Sequence, residues 1–183
     1  AVPEEGVEPK QYVVGLLQHG FLEEALPMLE ALDGMLDDAD IAYNHGICLS
    51  ELGRIEASLA PLRRCLELDP DYTNAAVGLG VAFARLHRDE EAEAALRAAL
   101  TQEPGNGFAL RNLAAILGRQ GKLSEALPVF RQALAAAPGE AEVRYALAQC
   151  LEQLGGEHRG EAKSLYKEII QDHPHHPVAD AAI

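Results

Sequence analysis

Three histidines within four residues, His173, His175 and His176 of "DHPHHP", form the densest set of metal-type ligands in the chain. Neutral imidazole commonly binds divalent metals, so a local tract of this kind is a candidate metal site. The prolines around it favour a plainer reading, a polar connection in which one helix ends and another starts near Pro177. No metal is assigned. The three cysteines, Cys48, Cys65 and Cys150, are too scattered for a disulfide framework and lack metal-ligand spacing, so they are expected as buried free thiols. His45 falls at an apolar place of a helical pattern and is expected as a hydrogen-bonded core histidine. The sequence holds no G-x-S-x-G, phosphate-binding glycine loop, H-E-x-x-H or convergent carboxylate pair. Neither an enzyme nor a cofactor is therefore predicted.

What remains is a chain built to present a surface. Of its 183 residues 48% are hydrophobic, which suits a single folded domain with a real core. Ala and Leu dominate, Trp is absent, and β-branched and aromatic residues are sparse, so propensity favours an all-α fold. Lys and Arg total 15 against 29 Asp and Glu, a net charge of −14. That charge opposes nucleic acid and anionic membrane surfaces and favours a basic partner. It is concentrated before residue 41, where Lys10 alone faces Glu4, Glu5, Glu8, Glu23, Glu24, Glu30, Asp33, Asp37, Asp38 and Asp40. No apolar run approaches the roughly 18 residues of a membrane span, and no basic-then-apolar signal opens the chain, so membrane insertion is not expected. A cytoplasmic location is expected; a periplasmic or exported protein that has lost its signal is the alternative.

The organising signal is a period. Pro70, Pro104 and Pro138 end apolar stretches at intervals of 34 residues. Leu79, Leu113 and Leu147 keep that interval, as do Leu49, Phe83, Leu117 and Leu151, and Leu66, Leu100 and Leu134. Within Thr73–Asn106 the apolar residues recur at helical spacing over Asn74–Leu86 and Glu90–Gln102, separated by the polar joint His87-Arg88-Asp89. Each period is a helix hairpin. Small residues mark the close approach of its two helices: Gly46, Gly80, Ala114 and Ala148 in the first, Ser58, Ala92, Ala126 and Ala162 in the second. Gly53, Gly121 and Gly155 stand at the joint, where a left-handed residue closes a helix.

These residues at this period resemble the tetratricopeptide repeat, and the resemblance covers nearly the whole chain. In that register the repeats run 39–72, 73–106, 107–140 and 141–174, the last with two extra residues near Gly155–Gly160. A degenerate repeat over about 6–38, with "QHGFLEEAL", precedes them, and the start of a C-terminal capping helix follows at 177–183. His87 departs from the joint glycine. The prolines of "EEALPML" and "SEALPVF" are expected near the end of a first helical turn, Ser124 serving as N-cap ahead of Pro128 and Pro27 placed alike.

The resemblance implies a right-handed superhelical solenoid of antiparallel helix hairpins whose first helices line a concave groove. Helical spacing then selects the stripe, basic in the middle and acidic at its ends: Asp40, Tyr43, Asn44, Ile47 and Glu51; Asn74, Val77, Val81 and Arg85; Phe108, Arg111, Asn112, Ala115 and Arg119; Glu142, Tyr145, Gln149 and Glu152. Amides hold a peptide backbone, apolar residues accept side chains and arginines take carboxylates. In the family, Asn at the place of Asn44 and Asn112 often bonds peptide backbone; Gly78 and Ala146 break that ladder here. A two-carboxylate clamp for chaperone tails is not expected, because Lys10 and Asn44 fit it but Val14, Asn74 and Gly78 do not.

The expected function is a non-enzymatic scaffold that binds a peptide or protein segment in its groove for complex assembly. The alternatives are a self-assembling scaffold, with a homo-oligomer as its state, and the targeting domain of a larger enzyme.

Overall fold

Ala, Leu, Glu and Arg fill the periods, and the chain is helical wherever they do. The computed structural model describes residues 8–172; the histidine tract and the expected capping helix lie outside them. Within that range are ten α-helices: α1 (Pro9–Gln18), α2 (Leu22–Met35), α3 (Ala39–Glu51), α4 (Ile55–Leu68), α5 (Thr73–Arg85), α6 (Asp89–Gln102), α7 (Gly107–Arg119), α8 (Leu123–Ala136), α9 (Ala141–Leu154) and α10 (Arg159–Asp172). A 3₁₀ turn, Gly156–His158, takes up the two extra residues before α10. None of the described helices is long and apolar enough to cross a membrane. The chain forms two compact units, Ala1–Ala98 and Ala99–Ile183.

The first, second, third and fourth hairpin joints share one hydrogen-bond pattern, which the joint at Gly155 does not follow. After α3, Gly53 N–H donates to Ser50 O at 3.1 Å and Arg54 N–H to Leu49 O at 2.8 Å. This pair of bonds closes a helix over a left-handed residue. The pattern recurs at Gly20, His87 and Gly121, with φ of 76°, 58° and 74°. His87 is the one non-glycine residue with positive φ among the described residues. An L side chain in that region crowds its own carbonyl, at a cost of about 1–2 kcal/mol.

In the first unit, α3 packs on α4 and α4 on α5. The helices close tightly at the small residues. A Cβ built on Gly46 would stand 2.5 Å from Leu62 Cγ, and one on Gly80 would stand 2.6 Å from Leu96 Cγ. Val13, Ala25, Leu26, Leu29, Ile41, Cys48 and Leu49 bury one continuous core. Beside it lies a half-hidden polar knot. His45 Nδ1 lies 2.8 Å from Asp33 Oδ2, and Arg64 Nη1 lies 3.1 Å from Asp33 Oδ1. Arg64 also donates to the main-chain oxygen of Asp33 and, at 3.0 Å each, to Leu36 O and Asp37 Oδ1. His45 therefore ties α3 to α2 as a satisfied core histidine, and Arg64 holds the last carbonyls of α2, where a cation also meets the helix dipole.

In the second unit, α7 packs on α8, α8 on α9 and α9 on α10. Leu110, Ala133 and Val143 are buried together, flanked by Leu100, Val129 and Leu134. Asn106 caps α7, its side chain accepting from Ala109 N–H at 2.9 Å.

The prolines correct one expectation. Lys122, not Ser124, occupies the N-cap position of α8, and Ser124 is the second helical residue. Pro128 is thus inside the second turn, as is Pro27 in α2. Each removes one helical hydrogen bond, to the carbonyl four residues earlier. Those carbonyls belong to Ser124 and Glu23, both exposed residues that water can serve.

The three cysteines are free and buried. Burial holds all three thiols protonated above their usual range, Cys65 being pushed up to about 12. Low-pKa thiolate chemistry is thereby disfavoured.

Candidate functional site

On the first unit, Tyr43, Ile47 and Arg85 of the α3–α5 stripe are engaged within the protein. Tyr43, Asn44, Ile47 and Val81 are half-buried, Asn74 and Arg85 exposed, and Val77 buried. The Tyr43 ring lies 5.1 Å from that of Tyr72, whose hydroxyl donates to Asp40 Oδ1 at 3.0 Å. Burial, and then the Asp40 carboxylate, push the Tyr72 phenol well above its usual range; burial does the same to Tyr43. Lys10 Nζ bridges Asp38 Oδ2 at 2.6 Å and Asp40 Oδ2 at 3.3 Å. Arg85 Nη1 reaches from α5 to Ser50 O at 3.0 Å and Ser50 Oγ at 3.3 Å. These bonds lock α5 to the last turn of α3.

The second unit carries a more open face on α7 and α9. Phe108 is 51% exposed. The Arg111 guanidinium sits 4.8 Å over its ring, a cation–π contact, while Arg111 Nη1 meets Glu140 Oε2 at 2.9 Å. Asn112 Nδ2 donates to Phe108 O at 2.7 Å, so one of its two N–H donors is committed to its own helix. On α9, Gln149 Nε2 donates to the Tyr145 hydroxyl at 3.0 Å. The Tyr145 ring lies 6.0 Å from Tyr166, whose hydroxyl donates to Glu152 Oε2 at 3.0 Å. Burial, with Glu152, pushes Tyr166 up to about 12.

Between α7 and α9 this face opens into a cleft of 230 Å³. Buried Phe130 and Cys150 form its floor with half-buried Leu123, and the small residues Ala115, Gly118 and Ala146 form its walls. Exposed Arg119, Gln149 and Gln153 stand at the mouth. A small apolar hollow rimmed by two amides and one guanidinium suits a side chain presented on an extended backbone. Three of the stripe residues, Ala115, Arg119 and Gln149, thus meet at one cleft. Phe108, Arg111 and Asn112 form a second group along α7. The spacing argument did not find Gly118, Ala146, Cys150 and Gln153, because they lie off the outward stripe. Gly118 alone of these carried a clear size signal, being smaller than the Ser50 two periods earlier, as the stripe residue Ala115 is smaller than Ile47.

Among the described residues no group of three or more His, Cys, Asp or Glu side chains is placed to hold a metal ion. The helix hairpins, their small-residue contacts and their shared joints define a class of helical repeat protein. The tetratricopeptide repeat model matches residues 43–107 and 111–177, and the chain belongs to that family. No curated protein matches it. Among solved structures, MamA from Desulfovibrio magneticus RS-1 is 19% identical over 89% of this chain and 92% of its own, with a TM-score of 0.80. MamA AMB-1 is 26% identical over 88% of this chain and 95% of its own, with a TM-score of 0.78. YrrB, described as a TPR protein with an unusual peptide-binding site, is 26% identical over 80% of this chain and 75% of its own, at a TM-score of 0.73.

Proposed function

We propose that this chain is a non-catalytic interaction module that holds an extended peptide or protein segment on its first helices and so recruits it to a larger assembly. The observation that carries the reading is the α7–α9 face, where exposed Arg119 and Gln149 stand at the mouth of an open apolar cleft and exposed Phe108 adds an aromatic surface further along α7. The arrangement offers apolar contact, amide hydrogen bonding and a cation in one place, the combination that extended-segment recognition uses. YrrB, of similar fold, has a peptide-binding site, and that supports the same use of the fold here.

The test is a pull-down from the source cell on immobilised chain, comparing wild type with a Phe108→Ala/Arg119→Ala/Gln149→Ala variant and an outer-face control, Ser124→Ala/Gln132→Ala. All five positions are exposed, so the fold should survive the changes. A partner retained by wild type and control but reduced at least about ten-fold on the face variant is the expected result. Equal capture by all three proteins would move binding off this face.

A further inference from the structure

The same three places that build the α7–α9 cleft are filled in the first unit. Two periods before Ala115 stands Ile47, two before Gly118 stands Ser50, and two before Gln153 stands Arg85. Ile47 Cδ1 reaches to within 3.4 Å of where a Cβ on Gly78 would lie, and Arg85 lies across Ser50 with bonds of 3.0 and 3.3 Å. Ile47, Ser50 and Arg85 therefore occupy the space between α3 and α5. Between α7 and α9 the smaller residues leave 230 Å³ open. Charge differs as well, because Glu51 stands two periods before Arg119. Arg119 is the one charged residue lining the cleft.

Resting on the binding face assigned above, the geometry points to a specificity subsite in the α7–α9 cleft: it seats one leucine- or phenylalanine-sized side chain of an extended peptide whose next residue is acidic. The size follows from volume, since an apolar cavity of about 150 Å³ already admits a benzene ring. The floor of Phe130 and Cys150 offers no charge and rewards an apolar occupant. Gln149 and Gln153 at the mouth each carry a donor and an acceptor, the pair that a passing peptide unit requires. Arg119 gives the acidic preference. The chain's net charge of −14 does not override it, because at physiological salt exposed charges more than about 8 Å away are largely screened while the rim guanidinium acts at contact.

The experiment pans a random 12-residue display library on the full chain. The tightest peptides are then measured on wild type, on Phe108→Ala/Gln149→Ala, on Arg119→Gln, and on Ala115→Ile/Gly118→Ser, which places the α3 residues in the cleft. Selected peptides should share Leu or Phe followed by Asp or Glu, and Ala at the anchor should weaken binding at least about ten-fold. The cleft-filling variant should weaken it as much, and Arg119→Gln should abolish the preference for an acidic over a basic neighbour. If the double variant loses its helical circular dichroism, Ala115→Ile alone is read, since Ala115 is exposed. Peptides that depend on Phe108 and Gln149 but lack a common anchor and ignore the filled cleft would overturn the subsite and leave the binding face standing. Failure to select any peptide sensitive to the face variant would overturn both.

Discussion

His87 holds a backbone conformation that the equivalent joints give to glycine. Its side chain is exposed, so nothing in packing is lost by removing it. His87→Gly should therefore raise stability, by up to about 1 kcal/mol after glycine's greater unfolded-state entropy is subtracted. Chemical denaturation of the two proteins checks this; a destabilised variant would show that the histidine ring contributes more than its backbone costs. A second residue-scale expectation concerns Asp38, whose carboxyl is held below its usual range mainly by the hydrogen bond from Lys10. A depressed carboxylate contributes stability above its unfolded pKa and loses it as pH falls through the folded value. Asp38→Asn keeps the N-cap oxygen that Asp40 and Ile41 N–H use, and removes the charge. Wild type should exceed this variant by under about 1 kcal/mol at neutral pH, and melting temperatures should converge as the solution is acidified through the carboxylate range. A gap that persists in acid would contradict the ion-pair account.

At the scale of the helix, the glycines separate into tight and open places. A methyl at Gly80 would press on Leu96, whereas one at Gly34, in α2, meets nothing within 4 Å. Gly80→Ala should cost about 1–3 kcal/mol through overpacking, while Gly34→Ala should gain about 0.5–1 kcal/mol of helix propensity. Thermal melts of both variants decide it, and equal effects would dismiss the packing argument. The hairpins and joints were legible because burial repeats every 34 residues, as Leu79, Leu113 and Leu147 show. Cap positions were less so. Ser124 looked like an N-cap by type, yet the left-handed joint at Gly121 ends one helix and starts the next two residues later, which fixes Lys122 at the cap. Geometry inherited from the preceding turn outranked side-chain preference.

For the whole molecule, periodicity revealed which helix faces could be shared but not how each face would be spent. Arg85 and Arg119 occupy the same repeat place. Arg85 is drawn onto Ser50, and Arg119, one period later, stands at the mouth of a cleft that Ala115 and Gly118 leave open. That difference depends on the sizes of neighbours on adjoining helices, which a stripe drawn along one helix does not register. The measurement that bears most directly on the account is amide-shift mapping by NMR of the full chain with the tightest library-selected peptide. The account predicts that the shifted amides cluster at Phe108, Ala115, Gly118, Arg119, Ala146, Gln149 and Gln153. Shifts gathered instead on the exposed residues of α8 and α10, with those seven unmoved, would contradict it.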